Sequence, residues 1–495
     1  MVLMNIKTYS RLLSLVNIGL VSMLLAGCAA PAAPTTTQTI AFTHVNLIPM
    51  TSEKVIEDQT VLVKGSDIVA IGNSDALKTP PGAQVIDGKG AYLMPGLADM
   101  HMHTVSNWDD QKAWPVNPLR LYLANGVTTI RDNGPFGGLS FVLQWRDEIR
   151  AGSRIGPTLY TSGVRLGHGT PLGEGDPAEL VRWNHEQGFD FLKMYGLLSV
   201  EDFQAGMREA RDLGMYTTGH IPLAVGLDGV LAEGMNEIAH VEELENEFLD
   251  LDRSKQWSPQ NLRPYLREAF DREIDVSSSD TVADWEREHV LTLERIADQL
   301  RTAGVPVDTN VVVSESAPMI VSHPEAWLSR PELKFEITGY VESFQRGETD
   351  HQVACRSMEK FCRNLKYEFD RWILSGLHEA GVQLLLATDS GAGGMGIVPG
   401  FSVHDELRIL VENGFTPYEA LLTGTVNAAN VVERMTGEGN FGTIEVGNRA
   451  DLILVRGNPL EDISVIREPL GVMAAGRWYS AEALAEIIEI PETEK

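Results

Sequence analysis

The residues best suited to chemistry lie in Leu97-Ala-Asp-Met-His-Met-His103, which reads Asp99-x-His101-x-His103 directly after the apolar run from Ala91 to Ala98. Side chains alternate faces along a β-strand, so Asp99, His101 and His103 are expected to point the same way. Two imidazoles on one side of a strand end can hold a divalent metal, and a neighbouring carboxylate can steady the rings. One His-x-His among 12 histidines could equally be two surface residues, so the reading depends on ligands at other strand ends. Lys193 stands alone in the apolar run Phe189-Asp-Phe-Leu-Lys-Met-Tyr195. His220 closes Tyr216-Thr-Thr-Gly-His220, His240 closes Glu237-Ile-Ala-His240, and Asp389 follows Leu384-Leu-Leu-Ala-Thr388. Singly, the lysine could snorkel, the histidines could be core residues and the aspartate could cap a helix. Six such residues in order at predicted strand ends point to one metal site.

The elements that must position them alternate between apolar strands and amphipathic helices, the pattern of a parallel α/β barrel. Strands are predicted at 92–101, 126–133, 158–166, 189–195, 215–220, 237–241, 305–313 and 382–389, with helices between them such as 199–213 and 403–413. Each ligand-type residue falls at the C-terminal end of its strand, where barrel enzymes place their chemistry. Short alternating runs from Ile40 to Ile86, and again from Gly442 to Val455 and Val472 to Tyr479, predict a β-sandwich built from both termini. The fold class is therefore α/β, a (β/α)8 TIM barrel with a small β-sandwich. The expected organisation is 40–90 sandwich, 91–435 barrel and 436–495 sandwich, with insertions near 244–304 and 314–359. The second insertion follows strand seven directly and reads either as a lid or as a plain surface excursion. His404, opening a late helix, reads as a cap rather than a ligand.

The chain has 495 residues, with 40 Lys plus Arg against 69 Asp plus Glu, a formal charge of −29. This argues against nucleic acid or an anionic membrane surface as a partner. Lys7 and Arg11 precede the apolar stretch Leu12–Leu25, too short for a comfortable membrane span, and Leu25-Ala-Gly-Cys28 follows. This resembles a bacterial lipoprotein signal: residues 1–27 would be removed, Cys28 lipidated, and 28–39 left as a tether. Ala29 and Ala30 favour the outer membrane, facing the periplasm or cell surface, with the lipid as the sole membrane contact. The remaining cysteines, Cys355 and Cys362, sit two turns apart if helical, roughly 10 Å by rise and too far to bridge; the exported setting leaves a disulfide open.

The ligand set resembles the amidohydrolase superfamily of metal-dependent hydrolases, in particular its imidazolonepropionase-like and prolidase-like members, dipeptidases of Xaa-Pro or Xaa-Arg type. Gly442-Thr-Ile-Glu-Val-Gly-Asn-Arg-Ala-Asp-Leu-Ile-Leu-Val455 with Gly457-Asn-Pro-Leu460 is similar to that superfamily's C-terminal sandwich signature. Thr416-Pro-Tyr-Glu-Ala-Leu421 through Asn427-Ala-Ala429 resembles its final helices. The resemblance covers about residues 40–480 without the insertions. It implies two divalent metals, zinc foremost, with manganese or cobalt also suited. His101, His103 and Asp389 would hold one and His220 and His240 the other, with a carbamate on Lys193 bridging them. A hydroxide between the metals would attack an amide or peptide carbonyl, and Asp389 would carry the proton to the leaving amine.

Substrate selection then falls to the loops. Prolidase-like relatives carry a Gly-His-Gly that Gly167-His168-Gly169 matches. His168 and Tyr195 are expected to contact substrate or its oxyanion, and Arg165 a carboxylate. The expected substrate is a small molecule, a dipeptide or N-acyl amino acid. Lactone, cyclic amide or ester hydrolysis on the same metals is the alternative, and a non-catalytic surface-binding lipoprotein the alternative from another class. A homo-oligomer is left open.

Overall fold

The computed structural model describes residues 38–167, 175–255, 257–273, 279–349, 352–353, 366–391 and 396–490. The expected leader, the tether as far as residue 37, Cys28, His168 and the Cys355–Cys362 pair lie outside them.

The chain opens with β1 (Thr39–Leu47), β2 (Ile56–Lys64), β3 (Asp67–Asn73), β4 (Gln84–Asp87) and β5 (Tyr92–Pro95). Eight strands then follow one another with helices between them. These are β6 (Leu97–Met102), β7 (Val127–Asp132), β8 (Thr158–Thr161), β9 (Leu192–Met194), β10 (Thr217–Gly219), β11 (Glu237–Ile238), β12 (Val307–Asp308) and β13 (Leu384–Leu385). The chain ends with β14 (Leu452–Val455), β15 (Gly471–Ala474) and β16 (Arg477–Ser480).

Both termini build one sheet, ordered β16-β15-β14-β5-β1-β2-β3 with β4 beside β1. Where two facing sheets were expected, the strands form a single hydrogen-bonded path. Phe42, Val45, Val61, Leu93, Leu452 and Met473 pack as its core. The first predicted barrel strand, 92–101, is two strands. Tyr92–Pro95 pairs antiparallel with β14, and the chain crosses into the barrel-like domain at Gly96, later than residue 91. A Cβ at Gly96 would lie 2.2 Å from Thr128 Oγ1, so only glycine lets β6 begin there.

The eight middle strands are parallel, as β6-β7-β8 and β13-β12-β11-β10-β9. Every residue of β6 and β7 is buried, as expected for parallel strands covered on both faces. Hydrogen bonds link the two sheets at both margins: Asp190 N donates to Thr161 O (2.9 Å) and Met100 N to Leu386 O (2.9 Å). Helices lie between the strands, and several are started by local side chains. Ser199 caps Val200–Leu213 by accepting from Asp202 N, and Asp176 caps Pro177–Gln187.

Strand seven is shorter than the predicted 305–313. It ends at Asp308, and Val311 already opens the helix Val311–Ser322. The reason is tertiary: the buried Glu406 carboxylate accepts the Val311 and Val312 N–H groups (3.0 and 2.6 Å), a cap supplied from another helix. The second insertion is helical, including Pro324–Leu328 and Thr338–Arg346. Its Trp327, Phe335 and Phe344 pack with Val116, Leu121 and Val398, which anchors it to the domain. His404 is not a cap: its helix starts at Phe401 behind Gly400, and the imidazole is buried within. Among the described residues no helix is long and apolar enough to cross a membrane.

Candidate active site and metal centre

His101 lies in β6 and His103 just past it; Lys193 lies in β9; His220, His240 and Asp389 follow β10, β11 and β13. The structure brings all six together. Lys193 Nζ lies 3.3 Å from His101 Nε2, and Asp389 Oδ1 lies 3.0 Å from His103 Nε2 and 3.7 Å from His101 Nε2. The His240 ring is centred 4.3 Å from His101 and 5.0 Å from His220. One ligand atom each from His101, His240 and Asp389 fall within 4.8 Å of one another. His240 thus reaches the group that the sequence reading assigned to the other ion.

Backbone detail sets these positions. Gly219 has φ +149°, and a Cβ there would lie 2.1 Å from Met194 O. Glycine therefore lets β10 close on β9, where His220 N donates to Met194 O. His240 and Asp389 themselves adopt φ of +67° and +58°, an uncommon conformation for residues with a Cβ.

The electrostatics fit a divalent cation. Burial drives His101 and His240 well below the usual imidazole range, with neighbouring Lys193 and the other imidazoles adding to it, so neutral rings offer lone pairs. Burial would raise Asp389, but the hydrogen bond and charge of His103, with His240 and Lys193, hold it below the ordinary carboxylate value. Burial lowers Lys193 to about 8. The Lys193 amine is thus fully buried beside His101, with its affinity for a proton reduced.

The groups that orient the rings were mostly missed from sequence. Asp308 Oδ2 lies 2.9 Å from His101 Nδ1, Gly134 O 2.9 Å from His103 Nδ1, and Glu243 Oε1 2.5 Å from His220 Nδ1. Asp308 also faces Arg131 Nη2 at 3.3 Å, and Arg131 bonds Glu237 through both terminal nitrogens, so a buried ionic network lies behind His101. Asp99 does not steady the imidazoles as expected. The β6–β7 register shifts between Asp99 and Met102, which breaks the simple alternation. Its carboxylate instead accepts from Thr388 Oγ1 (2.5 Å) and the His101 N–H (3.2 Å), with burial pushing it up to about 7. One signal was available: Arg131, Glu237 and Asp308, like Lys193, are charged residues inside apolar strands.

Tyr195 is centred 4.4 Å from the His220 ring, and burial raises its phenol to about 12, keeping it a proton donor. The Arg165 guanidinium lies 4.4 Å from the Phe136 centroid and 5.8 Å from that of Tyr195. Its buried Nη1 has no hydrogen-bond partner among the described residues. A surface cavity of about 380 Å³ around Arg154 and Ile487 is a separate feature, and its Arg154 is already paired with Asp109 and Glu148.

Comparison with known proteins bears on this geometry. The family model "Amidohydrolase family" matches residues 357–479. The ochratoxinase of Aspergillus niger is 38% identical over 409 residues, covering 77% of this chain and 73% of the relative. The chain belongs to the amidohydrolase family. This amidohydrolase is a hydrolase acting on carbon–nitrogen bonds. It shares its fold with a Xaa-Pro dipeptidase (TM-score 0.61, 19% identity, 90% of this chain and 100% of the other). It shares it also with molinate hydrolase (TM-score 0.63, 19% identity, 93% and 99%).

Proposed function

We propose that this amidohydrolase cleaves the amide bond of a small substrate bearing a free carboxylate, a dipeptide or N-acyl amino acid. The observation that carries the reading is the Arg165 guanidinium, with an unpartnered buried Nη1, beside Tyr195 at the edge of the ligand cluster. A planar guanidinium so placed matches a carboxylate. His101, His103, His220, His240, Asp389 and a carbamate on Lys193 would hold two divalent ions, zinc foremost. Ions bound there supply Lewis acidity, which acidifies water and polarises a carbonyl. The chain's own groups do the rest. Arg165 anchors the carboxylate and so fixes the register of the scissile bond. The Tyr195 O–H donates to the developing oxyanion, and the Gly-His-Gly match makes His168, outside the described residues, a further contact. Asp389 takes a proton from the attacking water on its carboxylate and returns it to the leaving nitrogen. Asp308, Gly134 O and Glu243 hold the three rings in one tautomer.

We also read the domain as a closed (β/α)8 barrel, residues 1–27 as a lipoprotein signal and Cys28 as its lipidated residue, with Ala29 and Ala30 supporting an outer-membrane location. Palmitate labelling of the full chain in a bacterial host, lost in Cys28→Ala, tests the anchor. The substrate class is tested by incubating metal-loaded protein with a pool of dipeptides and N-acyl amino acids and identifying products by mass spectrometry. Cleavage of a coherent, carboxylate-bearing subset is expected. Cleavage of lactones or esters alone would overturn the reading.

A further inference from the structure

Strand β12 contributes no residue to the ligand set, yet its end is built like the two beside it. His240, Asn310 and Asp389, after β11, β12 and β13, all adopt positive φ, at +67°, +51° and +58°. Ile238 pairs with Val307, and Val307 with Leu384. His240 stands two residues past this level, Asn310 three and Asp389 five, so Asn310 rises between two residues of the metal cluster. Asp308, two residues earlier, already faces inward to His101.

Asn310 precedes the helix Val311–Ser322 and would ordinarily cap it. Its side chain makes no cap hydrogen bond, because the Glu406 carboxylate takes the Val311 and Val312 N–H groups. Asn310 is 5% exposed, and both its Oδ1 and its Nδ2 are buried without a partner among the described residues. Two unmet polar atoms in one buried amide are costly unless a ligand meets them.

We infer that Asn310 is a substrate-contacting residue whose carboxamide meets the substrate's amide, Oδ1 accepting its N–H and Nδ2 donating to an adjacent substrate oxygen. This rests on the small-amide reading above and adds to it: the occupant must offer Oδ1 an amide N–H, which a tertiary amide or simple ester lacks at that bond. Asparagine is also tolerated at positive φ for backbone reasons alone, and glycine separates the two explanations because it keeps that φ and removes the amide.

The test compares wild type and Asn310→Gly as metal-loaded full chains, on the best secondary-amide substrate and on its ester analogue. Metal content and melting temperature are recorded alongside. Asn310→Gly should keep both metals and its melting temperature while kcat/KM for the amide falls roughly 10- to 100-fold, with a much smaller loss on the ester. Amide kcat/KM within twofold of wild type, or a loss explained by missing metal, would overturn the inference. An enzyme that cleaves only esters would refute the amide reading and its donor–acceptor pairing together. Asn310 would then stand as a substrate contact only if Asn310→Gly still lowered ester kcat/KM with metals retained.

Discussion

Replacing Asp308 by asparagine separates the charge behind His101 from the space it occupies. Both partners are fully buried, and Oδ2 lies 2.9 Å from His101 Nδ1. For His101 to offer Nε2 to a cation, Nδ1 must carry the proton, and a carboxylate selects that tautomer because it only accepts. Asparagine fills the same volume but can also present an N–H, so tautomer selection weakens. Loss of such an orienting partner costs roughly 10- to 100-fold in metal affinity, about 1.4–2.7 kcal/mol. Global stability should suffer less, since Arg131 keeps its Nη1 hydrogen bond to Glu237 at 2.8 Å. Competition with a chromophoric chelator gives the metal dissociation constants, and far-ultraviolet circular dichroism reports the fold. A folded Asp308→Asn that holds zinc as tightly as wild type would refute the reasoning.

Three further outcomes are expected. Lys193→Ala should remain folded without metal but bind at most one ion per chain and lose nearly all turnover; full occupancy by elemental analysis would exclude a bridging lysine. Arg165→Ala should raise KM roughly 10- to 100-fold for substrates with a free carboxylate and leave carboxamide analogues unaffected, metals retained. Glu336 is 2% exposed with Oε2 unpartnered, and burial pushes it up to about 7. Because the folded value is raised, its contribution is present below its ordinary value near 4.5 and is lost as pH rises through about 7. Glu336→Gln should therefore melt above wild type at pH 8, by up to roughly 3 kcal/mol of stability, and show no advantage near pH 4.5.

Seven of the eight parallel strands lie inside the segments that apolar runs predict, and β6 passes its segment by one residue, Met102, because buried parallel strands are largely apolar on both faces. The six candidate ligand residues were legible for the complementary reason, as polar groups at the ends of those runs. What sequence concealed depends on contacts between distant segments. Val311 to Val313 are β-branched and read as strand, but Glu406 reaches across to start a helix there. Asp99 looked like the partner of His101 by alternation, yet a register shift hands that role to Asp308, 207 residues away. Tyr92–Pro95 reads as continuous with β6, and only its pairing with Leu452–Val455 assigns it to the other domain. Asn310 was hidden in the same way, inside the predicted strand 305–313, and only the helix that Glu406 starts behind it leaves its side chain uncommitted.

The most direct test of the central claim is stepwise metal reconstitution. Protein stripped with a chelator is titrated with zinc in bicarbonate buffer, and bound metal per chain is measured beside hydrolysis of the best amide substrate. Turnover should be absent in the stripped protein and return as the sites fill, reaching its maximum near two ions per chain. Full amide hydrolysis by protein shown to hold no metal would contradict the account.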